Sequence, residues 1–183
     1  MSTRETHSIT LAGLRRELPL FEVKPGLKIA ILNILGDTEL VEACAAALAD
    51  KSKEMPFEVI VTAESKSIPL AHAMSVRLNK PYVVLRKVYK FYMGSALKAE
   101  TLSITTGAPQ ELYLDEKDHG LVNGRQVMIL DDVISTGSTL EGMRSLMAQA
   151  GAEIAVEAAI CTEGDEETWN GIVSLAHLPL FTE

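Results

Sequence analysis

Apolar residues recur along the chain with two periods, and the changes between them predict strands and helices in turn. Val127, Met128, Ile129 and Leu130 form a run with no helical period, which at this length suits a strand buried on both faces of a parallel sheet. Asp131 and Asp132 follow at once, then Val133 and Ile134, then Ser135, Thr136, Gly137, Ser138 and Thr139. From Leu140 the spacing turns helical, with Met143, Leu146, Met147 and Ala150 on one face and Gly151 ending the helix. The expected order is strand, acidic turn, hydroxyl-and-glycine loop, helix.

The pattern extends to both sides. Met1 to Ser8 is polar and expected to be mobile, and Ile9, Leu11, Leu14 and Leu18 then predict a short helix closed by Pro19. Pro25 and Gly26 mark a turn before an apolar stretch through Leu35. Asp37 can cap a helix to about Asp50, with Leu40, Val41, Cys44, Ala45 and Leu48 on one face. Phe57 to Ala63 and Pro81 to Arg86 read as strands, and between them Pro69 sits in the first turn of a helix reaching about Leu78. Residues 100–106 and 110–115 alternate about Gly107, Ala108 and Pro109 as a hairpin. Tyr89, Phe91 and Tyr92 near its base are expected to pack in the core or to stack on a ring. Glu153 to Cys161 is a further strand, and the tail from Gly171, with Val173, Leu175, Leu178, Leu180 and Phe181, packs back as an edge strand or turn.

Composition narrows the classes. A chain of 183 residues is about one domain. With 25 acidic against 17 basic residues, a formal charge of −8, it lacks the basic surface that drives binding to nucleic acid. Its two cysteines, Cys44 and Cys161, suit buried free thiols in a reducing compartment better than a disulfide framework, and no zinc-binding spacing is present. Neither a signal-peptide core nor an apolar run of membrane-spanning length is seen, so a cytoplasmic protein without a membrane partner is expected.

The chemistry concentrates after the Val127 to Leu130 strand, since open α/β sheets bind ligands at the carboxyl ends of their strands. Small side chains, hydroxyls and closely spaced N–H groups before a helix favour a phosphate dianion. Adjacent Asp131 and Asp132 repel each other and make sense beside hydroxyl donors or a divalent cation. A sugar phosphate with two free hydroxyls satisfies both halves. A receiver domain carries such acids near its start and needs about 100 residues after them, more than follow Asp131. A Walker B strand needs a G-x-x-x-x-G-K-[ST] partner, which the chain lacks, and no G-x-G-x-x-G is present.

The stretch from Val127 to Leu140 resembles the phosphoribosyl pyrophosphate (PRPP) signature of the type I phosphoribosyltransferases. The resemblance implies an α/β fold with a central, mostly parallel twisted sheet flanked by helices, a small N-terminal hood and a hairpin flap. A single domain would fill residues 1–183, with arm and hood over 1–36 and flap over 88–118. Asp131 and Asp132 would hold the ribose hydroxyls, and the loop from Val133 and Ile134 through Ser135, Thr136, Gly137, Ser138 and Thr139 would hold the 5′-phosphate. The Glu64, Ser65, Lys66, Ser67 loop resembles the one that grips pyrophosphate, with lysine where adenine enzymes commonly have arginine and serine where glycine is usual. Arg86, Lys87 and Lys90 form a cationic cluster; the Arg-Lys pair is a family feature whose lysine often reaches pyrophosphate, in some members that of the neighbouring subunit, so a homodimer is implied. The hood of adenine phosphoribosyltransferases has a run similar to Arg15 or Arg16, Pro19, Phe21, Pro25 and Gly26.

The implied reaction transfers phosphoribose from PRPP to a purine nitrogen and releases pyrophosphate, with adenine the first candidate and xanthine, hypoxanthine or guanine open. Lys66, Arg86 and Lys87 would stabilise the departing anion together with magnesium, held mainly through PRPP and within reach of Asp131 and Asp132. Adenine enzymes often place a glutamate before a tyrosine and glycine in the flap to take the base proton; Thr105, Thr106 and Gly107 stand there. Threonine cannot serve as a general base near neutral pH, so Glu100, Glu111 or water must substitute, or the substrate differs. Some members of the fold bind PRPP as an effector without catalysis, and this is the alternative that Thr105 keeps open.

Overall fold

The computed structural model describes residues 4–102 and 109–182. The chain opens with a hairpin, β1 (Thr6–Leu11) and β2 (Leu14–Lys24), where a helix is expected from the spacing. Leu14, Arg16, Leu18 and Leu20 alternate with the more exposed Arg15, Glu17, Pro19 and Phe21 along β2, so the period is two, and Ala12 and Gly13 supply the turn with φ of 49° and 84°. Thr6 to Ser8, expected in a mobile arm, are part of β1. Pro19 does not end the element: it stays in the strand and gives its carbonyl to the Ile31 N–H at 3.0 Å. Pro25 and Gly26 turn the chain into β3 (Leu27–Ala30).

Helix α1 (Thr38–Ser52) follows, with the Asp37 carboxylate accepting from the Leu40 N–H at 3.1 Å as expected of a cap. Then come β4 (Val59–Ala63), α2 (Ile68–Leu78), β5 (Tyr82–Leu85), the hairpin β6 (Leu97–Leu102) and β7 (Pro109–Leu114), and a short α3 (His119–Val122). The chain closes with β8 (Gln126–Ile134), α4 (Ser138–Gln149), β9 (Glu153–Glu163), β10 (Val173–Leu178) and β11 (Phe181–Thr182).

Five parallel strands in the order β10-β9-β8-β4-β5 form the central sheet. Ile60, Met128, Leu130, Ala158 and Ile160 point to one face, into a core shared with α1, α2 and the hood. Val59, Val61, Val127, Ile129 and Ala159 point to the other, against α4 and the β6–β7 hairpin. Both faces are buried, which is why these strands read as unbroken apolar runs. Cys44 and Cys161 are both buried free thiols, and burial pushes them up to about 11 and about 12.

The hood is a separate antiparallel sheet, β1-β2-β3-β11. The tail therefore does two things: β10 edges the central sheet, and β11 pairs with β3, Phe181 opposite Lys28. Arg16 ties the hood to α1, reaching Asp37 at 2.7 Å and Glu39 at 2.9 Å. Among the described residues, no helix is long and apolar enough to cross a membrane.

Candidate active site

Strand β4 leads through α2 to β5 on one side of itself, while β8 lies on its other side. The chain thus leaves β4 and β8 at a switch point, where connecting loops diverge and a crevice opens beyond the carboxyl ends. The expected acidic turn is instead strand: β8 keeps its pairing with β9 as far as Ile134 opposite Thr162, one side of the ladder carrying it past the end of β4. Asp131 and Asp132 are thereby fixed by backbone pairing.

The loop after β4 meets these acids. The Ser67 hydroxyl donates to Asp131 Oδ1 at 2.6 Å and lies 3.2 Å from Asp132 Oδ1, while the Asp132 N–H donates to Ser67 Oγ at 3.1 Å and to Asp131 Oδ1 at 2.9 Å. Ser67 occupies the N-cap position of α2 yet gives it no side-chain cap, because its hydroxyl is committed to the acids. Lys66 Nζ sits 3.1 Å from Asp132 Oδ2, an oxygen buried without an aligned hydrogen bond, and 3.2 Å from the Leu32 carbonyl. Burial, then the adjoining Asp132 charge, pushes the Asp131 carboxyl up to about 7. Lys66 and Ser67 are thus the two loop residues that hold the acid pair.

Glu64 organises the next layer. Its carboxylate takes Arg86 Nε at 2.5 Å and the Lys87 N–H at 2.8 Å, so the guanidinium is engaged with the loop and the Lys87 and Lys90 side chains are exposed.

Beyond Asp132, the loop from Val133 to Leu140 encloses with Asp131 a cavity of about 90 Å³. Thr136 Oγ1 and Ser138 Oγ are 3.0 Å apart, Thr136 Oγ1 accepts from the Ser138 N–H at 3.5 Å, and the N-cap residue of α4, Gly137, has no side chain to cap it. Gly137 has a φ of +80° and lies against Trp169, whose Cη2 would be 3.0 Å from an added Cβ. Backbone N–H groups, hydroxyls and a helix N-terminus thus converge on a volume that suits a phosphate.

Ser135 and Thr136 also line a second cavity of about 340 Å³ between hood and sheet. Val23, Leu27, Ile29, Leu180 and Trp169 give it apolar walls, and Lys24, Glu163 and Asp165 its polar groups. Of the hood residues in the family-like run, Arg16 is committed to α1 and Phe21 is partly exposed beneath the Arg4 guanidinium, 4.2 Å from its ring centroid. Glu163 and Trp169 carry no sequence signal of this role: one is a strand-end acid, the other a lone aromatic in an acidic loop. Glu163 is buried, receives the Ser135 hydroxyl at 2.5 Å on Oε2, and has its carboxyl raised by that burial. Trp169 donates its indole N–H to the Glu163 carbonyl at 2.9 Å.

Thr105, Thr106 and Gly107 lie outside the described residues. Glu100 and Glu111 face each other across the hairpin and share Lys98, at 2.7 and 2.6 Å, and this ammonium holds the Glu111 carboxyl below its ordinary range. Tyr89, Phe91 and Tyr92 are not core: all three are exposed, Phe91 by 91%. The three-residue turn Phe91–Met93 buries Met93 and points the rings outward.

The switch point of this parallel α/β sheet thus presents a carboxylate pair, a cradle of N–H groups and hydroxyls that suits an anion, and an adjoining apolar cavity, side by side. The chain belongs to the phosphoribosyl transferase domain family, whose model matches residues 32–168. The xanthine phosphoribosyltransferase of Finegoldia magna is 31% identical, over 88% of this chain and 90% of that protein. The purine biosynthesis transcriptional repressor PurR of Bacillus subtilis is 29% identical, over 79% of this chain and 50% of the repressor. The chain spans about half the length of several such relatives. The crystal structure of adenine phosphoribosyltransferase from Thermoanaerobacter pseudethanolicus superposes with a TM-score of 0.68 at 19% identity, covering 94% of this chain and 95% of that one, and so shares the fold.

Proposed function

We propose that this protein is a purine phosphoribosyltransferase, moving the phosphoribosyl group of PRPP to a ring nitrogen of a purine and releasing pyrophosphate. The observation that carries the reading is continuity: the acid pair, the 90 Å³ anion cavity and the 340 Å³ apolar cavity adjoin through Asp131, Ser135 and Thr136. Adenine is the first candidate, from the hood-like run; the likeness to a xanthine enzyme keeps the oxopurines as alternatives.

In this reading the Val133 to Thr139 loop anchors the 5′-phosphate, and Asp131 and Asp132 exchange their Ser67 and Lys66 partners for the ribose hydroxyls. Ser67 and Lys66, released, face the pyrophosphate with Ser65, while Glu64 keeps Arg86 and the Lys87 backbone in place. Trp169 and the hood residues Val23, Leu27 and Ile29 hold the purine plane. Fixing base and sugar in this way contributes several kcal/mol by orientation alone. Asp131 and Asp132 are the carboxylates within reach of a magnesium ion carried by the PRPP phosphates, and oxygen donors of this kind suit that ion. When bound, the ion neutralises charge on the departing pyrophosphate.

Exposed Val88, Tyr89, Phe91 and Tyr92 beside Lys87 and Lys90 support a homodimer in which this patch is covered. A cytoplasmic location goes with this reading, since PRPP and free purines are metabolites of that compartment. Pyrophosphate release with magnesium, PRPP and each of adenine, hypoxanthine, guanine and xanthine tests the reading, with Asp131→Asn/Asp132→Asn as control. The likeness to a transcriptional repressor favours one second reading, a PRPP-responsive regulator: PRPP binding without turnover of any base would establish it.

A further inference from the structure

Phosphoribosyl transfer to a purine must dispose of the proton on the acceptor nitrogen, and the carboxylates near the site differ in their freedom to take it. Glu100 and Glu111 are paired with Lys98 on the hairpin. Asp131 and Asp132 are occupied with Ser67 and Lys66, and in the reading above they pass to the ribose hydroxyls. Asp165 accepts from the Glu167 N–H and is exposed. Glu163 is 4% exposed, lines the 340 Å³ cavity, and is hydrogen-bonded only through Oε2, to Ser135, among the described residues.

We propose that Glu163 is the proton acceptor for the incoming base, positioned by Ser135. The inference rests on the transferase reading above. Ser135 lines both cavities, so its 2.5 Å bond sets the carboxylate where a ring in the larger cavity meets a sugar whose phosphate fills the smaller one. As the C1–O bond to pyrophosphate breaks, its electron pair leaves with the pyrophosphate. The N–H bond of the base breaks in step: its electrons sustain the new N–C1 bond and its proton passes to Glu163 Oε1. Glu163 returns that proton to water once product leaves.

Burial moves this carboxyl upward, toward the range where a general base is effective, with the Ser135 hydrogen bond and the nearby His177 acting in the opposite sense. His177 itself is fixed by Thr162 Oγ1 at 2.9 Å and the Gly164 carbonyl at 3.1 Å, and Lys24 and Asp165 are the other charged groups lining the cavity.

The test compares wild type, Glu163→Gln and Ser135→Ala in pyrophosphate release across pH 5 to 9, with melting curves for each. For Glu163→Gln we expect kcat to fall by about 10²- to 10⁴-fold, the usual contribution of a general base, with KM for PRPP changed little and the acidic limb of the kcat profile gone. Ser135→Ala should retain the limb at displaced pH. A kcat for Glu163→Gln within about threefold of wild type, or an unchanged limb, overturns the proposal; a changed base preference at unchanged kcat would make Glu163 a selector of the base instead. Should Glu163→Gln melt prematurely, Glu163→Asp decides, because a retracted carboxylate must lower kcat and shift the limb, and an unaffected profile refutes the assignment. Wild type inactive with every purine removes the transferase reading and this inference together; an active wild type with an indifferent variant removes only the inference.

Discussion

Replacing Asp131 by asparagine should stabilise the free protein while destroying its function. The carboxyl is held up to about 7 by burial and by Asp132, against an ordinary 3.8. A raised acid is one whose proton the native state retains and the unfolded chain releases, so stability falls as pH rises through that window and levels off above it. At about 1.4 kcal/mol per pH unit the whole window amounts to about 4 kcal/mol at pH 8. Solvent reaches Asp131 in part, and Asp131→Asn must still bury a polar amide, so about 2 kcal/mol is the expected gain. Asparagine keeps an acceptor for Ser67. For a chain of this length the gain corresponds to a melting temperature higher by roughly 4–8 °C at pH 8. Glu163 shifts in the same sense, and for that reason the comparison is between wild type and variant at each pH. Thermal melts with EDTA and without PRPP, at pH 5 and pH 8, would show the advantage of Asp131→Asn growing between the two. Turnover should meanwhile be lost. An asparagine variant no more stable than wild type at pH 8 would refute the account of the acid pair as a strained, ligand-seeking site.

Gly137→Ala forces a Cβ to 3.0 Å from Trp169 in a left-handed conformation that costs an L-residue about 1–2 kcal/mol, so PRPP affinity should fall at least several-fold in a titration. Trp169, the sole tryptophan, should report occupancy of the larger cavity: its fluorescence should respond to a saturating purine with PRPP, and to neither in Asp131→Asn/Asp132→Asn. Arg16→Ala releases the hood from Asp37 and Glu39, and should lower the melting temperature and raise KM for the base more than KM for PRPP in initial-rate measurements. Phe91→Glu places a charge on the most exposed ring of the outward patch and should shift the species seen by light scattering from dimer to monomer.

The parallel sheet and the loop-to-helix junction after its central strand were legible in the sequence because their signals are local. An apolar run buried on both faces, two acids and a hydroxyl-glycine segment before a helix follow one another within 14 residues, Val127 to Leu140. The opening hairpin was not, since Ile9, Leu11, Leu14 and Leu18 satisfy a helical spacing as well as an alternating one. What decides between them is the left-handed Ala12-Gly13 turn and the partners β3 and β11, the latter from the far end of the chain. The outward aromatics at 89–92 illustrate the converse, for a residue type that usually packs inside carries no mark of a surface position.

Sequence by itself determined the class of fold and the order of strand, acid pair, hydroxyl-and-glycine loop and helix, each written in contiguous residues. Only the tertiary structure decided what faces them. Lys66 and Ser67 reach the acids because β4 and β8 are neighbours in space; Val23, Ile29, Trp169 and Leu180 form one cavity because the tail strand closes the hood; and Glu163 stands beside Ser135 because β9 runs alongside β8 to their common end. A contact between residues 28 positions apart has no local signature: its free energy comes from burial and from a hydrogen bond that exists only once the sheet has formed.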